Sequence, residues 1–276
     1  MNLRKIEWIG YFNQDCYLQV MEQYFIVIFF AFGASLLTFF SGFGLGTILT
    51  PVFVLFFPID IAIGLTAIVH LLNNLLKMGL IGRFLDKTTV IRFGLPAIAS
   101  AIIGSLLLSH LQKLPVLLTY QFFDETFSIK ILNLVVGSLI TLFAIFEWTK
   151  ILKNTSSKKL FLGGILSGFF GGLSGHQGAL RSMFLVRMRF NKETYIATGT
   201  AIACLIDLGR LSIYTQQYIK TEIWLNINIL LAAILAAFAG AFLGKKVLKK
   251  VTISSIENIV SLLLITMGLS LALGII

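Results

Sequence analysis

Two stretches of an otherwise apolar chain carry polar side chains at helical spacing. Thr66, His70, Asn73 and Lys77 recur at intervals of four, three and four, and Thr200, Cys204, Asp207 and Tyr214 share a face further on, with Arg210 one turn past Asp207. Such intervals gather each set on one side of a helix. A third stretch, Gly171-Gly172-Leu173-Ser174-Gly175-His176-Gln177-Gly178-Ala179-Leu180-Arg181, joins bare backbone to two polar side chains and a cation. An open helix end offers unpaired N–H groups to an anion, and arginine offers a planar fork to an oxyanion. The predicted chemistry is therefore anion binding. Arg181, His176 and Gln177 are expected to hold the anion beside Gly175 and Gly178. Gly42, Gly44 and Thr47 would complete the site with backbone and a hydroxyl, and Thr66, His70, Asn73, Lys77 and Thr200 would line its walls. Asp207 and Arg210 offer either a proton-coupling group or a plain ion pair. Plainer roles stand beside these: Lys77 and Arg210 can snorkel to an interface, His70 can merely bond between helices, and the glycines can serve close packing.

The elements that must position these groups follow from composition. Of 276 residues, 57% are hydrophobic and 12% charged, with mean hydropathy +0.93, about half the charged share of a soluble domain. Apolar runs at 24–57, 60–81, 88–110, 130–149, 160–186, 193–216, 222–244 and 253–276 are continuous rather than alternating, which excludes a β-barrel and predicts helical spans. The first and fifth runs are too long for one simple span. Ser41-Gly42-Phe43-Gly44-Leu45-Gly46-Thr47 and Pro51 interrupt the first, and the glycine-rich stretch above interrupts the fifth, so both are expected to be broken or re-entrant helices. Two cysteines in unlike settings give no disulfide framework. The sequence holds no Walker loop, zinc-spaced ligand set or nucleophile elbow, and the GFGLG stretch lacks the strand a dinucleotide loop needs. Neither an enzyme nor a metal or cofactor is expected.

The net charge of +10 is read as an orientation signal rather than as affinity for nucleic acid. Lys150, Lys153, Lys158 and Lys159 precede the fifth run, and Arg187, Arg189 and Lys192 follow it. Both clusters are cytoplasmic only if that run returns to its own side. Arg83, Lys87, Lys245, Lys246, Lys249 and Lys250 then also lie inside, whereas the tip at Pro58 to Asp60 and the loops 111–129 and 217–221 lie outside. A repeat emerges as well. Gly64-Leu65-Thr66-Ala67-Ile68 answers Thr198-Gly199-Thr200-Ala201-Ile202 at an offset of 134, and Ser41-Gly42-Phe43-Gly44 answers Ser174-Gly175-His176-Gln177. The expected fold is an all-α polytopic membrane protein of two inverted-topology repeats, each a broken or re-entrant helix segment followed by three transmembrane helices. Residues 1–23 form a polar N-terminal tail, 24–149 the first repeat and 150–276 the second. Inverted repeats with interrupted helices are the architecture of secondary transporters.

The assembled pattern resembles the TauE/SafE sulfite exporter family over about residues 24–276. The resemblance rests on Ser41-Gly42-Phe43-Gly44-Leu45-Gly46 with Pro51, on Gly64-Leu65-Thr66-Ala67 leading to Asn73-Asn74, and on the echo Leu166-Ser167-Gly168-Phe169-Phe170-Gly171-Gly172. It implies ATP-independent transport, commonly export, of a small sulfur-containing or carboxylate anion. His176-Gln177 and Arg181 replace the glycine and apolar residues typical of that segment, which points to a substrate with polar groups unlike those of sulfite. The expectation is a secondary transporter working by alternating access across the cell membrane, of bacterial inner-membrane type, with proton coupling as one drive. Its partners would be a small anionic solute and the lipid bilayer, with a homo-oligomer left open and nucleic acid excluded. Rival readings are a channel-like or cation-coupled permeation protein, and a non-transporting sensor or assembly subunit.

Overall fold

The computed structural model describes residues 3–41, 44–149, 159–217, 223–247 and 254–276. Its helices are α1 (Leu3–Ser41), α2 (Leu45–Val54), α3 (Ile59–Ile81), α4 (Lys87–Gln112), α5 (Ile131–Thr149), α6 (Leu160–Ser174), α7 (Gly178–Leu185), α8 (Lys192–Gln217), α9 (Ile227–Val247) and α10 (Ser254–Ala272). Among the described residues, six stretches are long and apolar enough to cross a bilayer: Val20–Phe39, Ile59–Phe84, Lys87–Gln112, Ile131–Thr149, Lys192–Gln216 and Ile227–Lys246. The protein is an all-α polytopic membrane protein. Its N-terminal stretch is helical, because α1 begins at Leu3 and runs without interruption into the first apolar segment.

Both over-long segments are broken. In the first, α1 ends at Ser41 and α2 starts at Leu45; Gly42 and Phe43 lie outside the described residues. The arms are unequal, since Val20–Phe39 is itself long enough for a crossing whereas α2 has 10 residues. In the second, α6 has 15 residues and α7 has 8, so neither arm spans alone. Gly175 ends α6 with φ +80, a left-handed conformation that glycine adopts without the Cβ penalty, and its N–H bonds to Gly171 O.

Packing sets the frame around these breaks. α4 lies along α6, α1 along α9, α3 along α8 and α5 along α10. The α4–α6 seam is backbone against backbone. A Cβ on Gly164, Gly168 or Gly172 would sit 2.2, 2.1 and 2.1 Å from the carbonyl oxygens of Phe93, Ala97 and Ala101, respectively. Small residues every four positions permit that approach, and dispersion between close backbones holds helices together where lipid supplies no hydrophobic drive. α4 starts at an Asp86 cap whose carboxylate accepts from Thr89 N at 2.8 Å, and Asp86 N donates to Thr198 Oγ1 at 2.9 Å. This contact ties the start of α4 to α8, so Arg83, Lys87 and the residues around Lys192 gather at one end of the bundle.

The loop after α4 holds an element that the hydropathy pattern does not predict. β1 (Val116–Phe122) pairs antiparallel with β2 (Glu125–Lys130) through a tight turn at Phe123 and Asp124, both at positive φ. Such a two-residue turn matches the twist of its strands. Tyr120 OH donates to Leu273 O at 2.8 Å and fastens the hairpin to the end of α10.

Candidate functional site

α3 and α8 cross the core antiparallel. His70 meets Asp207 midway, while Lys77 shares a cavity with Gly199 and Thr200 near the start of α8. The spacing of the two polar stripes turns them toward each other, and both are buried. His70 Nδ1 lies 2.6 Å from Asp207 Oδ2 and donates to it, since a ring nitrogen facing a carboxylate carries the proton. Gln177 Nε2 donates to Asp207 Oδ1 at 2.9 Å, and Arg210 Nε and Nη2 donate to the same oxygen at 3.0 and 2.8 Å. Asp207 and Arg210 are each 0% exposed. A carboxylate inside a membrane protein is tolerable only with such partners.

The helix breaks converge on this pair. Gly44, in the first, packs so closely that a Cβ there would come 3.1 Å from His70 Nε2. Gln177, in the second, reaches Asp207 with its amide NH2, and its amide oxygen accepts from Arg181 Nη1 at 3.4 Å. Ser167 Oγ donates to Gln177 O at 2.9 Å and Tyr214 OH donates to Gly172 O, which hold the break in place. Asp207 is thus joined to Arg181 through one side chain.

Arg181 and Lys77, each 4% exposed, line one small cavity with Thr38, His70, Asn74, Tyr195, Gly199 and Thr200, among others. Among the described residues, its lining includes two cations and no acidic residue. Lys77 Nζ donates to Thr38 Oγ1 at 3.3 Å and lies 5.5 Å from the centre of the Phe39 ring. The free volume is about 20 Å³, room for roughly one water molecule. A larger hollow of about 510 Å³ opens at the other end of α3, where Asp60, Gln112, Lys130 and Asn133 interrupt an apolar wall.

Of the residues expected from sequence, Arg181, Lys77, His70 and Thr200 meet in the cationic cavity, while Asp207, Gln177 and Arg210 form the adjoining network. The others lie elsewhere. Asn73 Oδ1 accepts from Ser35 Oγ at 3.0 Å. His176 Nδ1 donates to Ser174 O at 2.9 Å. Thr66 and Thr47 are buried outside the cavity lining, as are Gly44, Gly175 and Gly178, and Gly42 falls outside the described residues. Thr38, Asn74 and Tyr195 are added. The pairing of Ser35 with Thr38 at i,i+3 is a second polar signal in the first apolar run, and Asn74 sits one position round the helix from Asn73.

A polytopic helical fold with broken helices meeting in its centre beside a buried cationic cavity is an architecture that membrane transporters use. The family model described as Sulfite exporter TauE/SafE matches residues 27–271, and the chain belongs to that family. No match was found among curated proteins or among solved structures.

Proposed function

We propose that this protein is a secondary transporter that exports a small sulfur-containing or carboxylate anion by alternating access, with Lys77 and Arg181 as its anion ligands. The observation that carries this reading is the cavity in which both buried cations face one space with no acidic side chain among the described residues of its lining. Three cations, Lys77, Arg181 and Arg210, lie within the core around one carboxylate, Asp207. An anion would offset that surplus, whereas a permeating cation would be repelled by it, which argues against the channel-like alternative. The packing supports inverted repeats: the 134-residue relation exchanges α1 with α6 and α4 with α9, so the α1–α9 and α4–α6 seams are counterparts. The antiparallel crossing of α3 and α8 is what such an exchange requires. The gathering of Arg83, Lys87 and Lys192 at the Lys77 end supports a cytoplasmic position for that end. A cavity of one water's volume corresponds to a closed state, whose walls part on one side at a time to admit the anion. Asp207, held by His70 and Arg210, is the group through which proton movement would be coupled.

The test is uptake of radiolabelled sulfite, sulfate and acetate into proteoliposomes. Arg181→Ala should raise the half-saturation concentration at least about tenfold, the cost of a lost hydrogen bond between ions. Unchanged uptake and affinity would reject the assignment.

A further inference from the structure

On the far side of the His70–Asp207 pair from the Lys77 cavity, the network leaves a second set of buried polar atoms unsaturated. Thr50 Oγ1 and Arg210 Nη1 are both fully buried and, among the described residues, neither atom has a hydrogen-bond partner; the Tyr214 hydroxyl lies against the same guanidinium. Both approach the same face of Gly175. A methyl group on that glycine would sit 3.2 Å from Arg210 Nη1 and 3.6 Å from Thr50 Oγ1. The first break closes the other side, since a Cβ on Gly46 would lie 3.6 Å from Gly175 O and 3.5 Å from the Thr66 methyl. Thr66 Oγ1 is buried without a partner as well. Buried donors left unmade are costly, and two of them, Arg210 Nη1 and Thr50 Oγ1, meet at one point, which calls for an acceptor. Arg210 spends Nε and Nη2 on Asp207, so the guanidinium is already charge-compensated and Nη1 offers direction more than charge. A site built that way holds an oxyanion weakly, as a release step requires. Along α8, Arg210 is ten residues from Thr200, about 15 Å of helix rise, with Asp207 between them.

We propose that Arg210 Nη1 and Thr50 Oγ1, facing Gly175 between the two helix breaks, form a second subsite for a small oxyanion. The subsite lies across the Asp207 network from the Lys77–Arg181 cavity, and the transported anion passes from one to the other. This rests on the anion-transport reading above and adds a station to it. Nothing in the motif pattern marks Thr50, which lies in α2 beside Pro51.

Thr50→Val removes the hydroxyl at nearly constant shape and leaves the Arg210–Asp207 pair intact. The probes are radiolabelled sulfite, sulfate and acetate, each measured in right-side-out and in inverted membrane vesicles. Thr50→Val should raise the half-saturation concentration about tenfold from one membrane face only. Thr50→Ser should restore it, and Lys77→Met should raise the value from the opposite face. Equal half-saturation for Thr50→Val and wild type from both faces would overturn the subsite while leaving the transporter reading intact. An equal rise from both faces that Thr50→Ser fails to reverse would overturn it too, by showing a packing defect. Wild-type vesicles that carry none of the three anions would overturn the anion reading, and the subsite with it.

Discussion

Asp207→Asn probes the centre of the molecule most directly. The wild-type carboxylate accepts four hydrogen bonds, from His70 Nδ1 at 2.6 Å, Gln177 Nε2 at 2.9 Å, and Arg210 Nε and Nη2 at 3.0 and 2.8 Å. Asparagine keeps the volume, but it turns an NH2 toward groups that are themselves donors and leaves the buried Arg210 charge uncompensated. Removing one partner of a buried ion pair costs about 3–5 kcal/mol. For a chain of this size, that lowers the melting midpoint by on the order of 10 °C. Differential scanning fluorimetry in detergent reads the shift. The control is Asp207→Asn combined with Arg210→Met, which removes both charges and should recover much of the loss, because no orphan charge remains. If Asp207 also carries the coupled proton, Asp207→Asn vesicles will exchange anion at equilibrium yet fail to accumulate it under an imposed pH gradient. A single variant melting within about 2 °C of wild type, or a double variant less stable than the single, would refute the account of the network. Full accumulation by Asp207→Asn under the gradient would remove it from coupling.

Gly168→Leu should abolish recovery of folded protein, because even its Cβ would stand 2.1 Å from Ala97 O and 2.2 Å from Ser100 Oγ; a monodisperse size-exclusion peak at wild-type yield would contradict this. Asp86→Ala removes the cap that accepts from Thr89 N at 2.8 Å and should cost about 1 kcal/mol, visible as a small fall in melting midpoint with anion affinity unchanged.

Much of the frame was legible because the relevant periods are short-range. Helical spacing identified both polar stripes, and glycine density identified both breaks. What spacing could not supply was partnership. The 134-residue offset superposes His70 on Cys204 and Asn73 on Asp207, yet in space His70 meets Asp207, because the two helices run in opposite directions and contact partners are mirrored along them. The same geometry turns Asn74, rather than Asn73, into the cavity, a choice set by a rotation of one residue about the helix axis. Thr38 and Tyr195 join the site from outside the stripes: Thr38 has only Ser35 for company in its run, and Tyr195 follows the polar stretch Lys192-Glu193-Thr194, which reads as a helix start rather than a site. The hairpin escaped the hydropathy pattern, which leaves 111–129 as a loop between two runs, because Val116-Leu117-Leu118 is too short an apolar stretch to mark a strand. Its tip, where Phe122 and Phe123 are 61% and 86% exposed, offers none of the usual Gly or Asn turn signal.

The glycine seam between α4 and α6 has a mechanical consequence. Carbonyl oxygens stand where a Cβ would lie at one-turn intervals over Gly164, Gly168 and Gly172, so the backbones meet with little beyond Pro96 and the Ser100 hydroxyl between them. Packing that close couples the two helices into one unit that ends at Gly175. In the alternating-access mechanism proposed above, the motion would be taken up elsewhere, at the left-handed joint of Gly175 or along seams cushioned by flexible side chains. Stiffness in this molecule is written in residues that have no side chain at all.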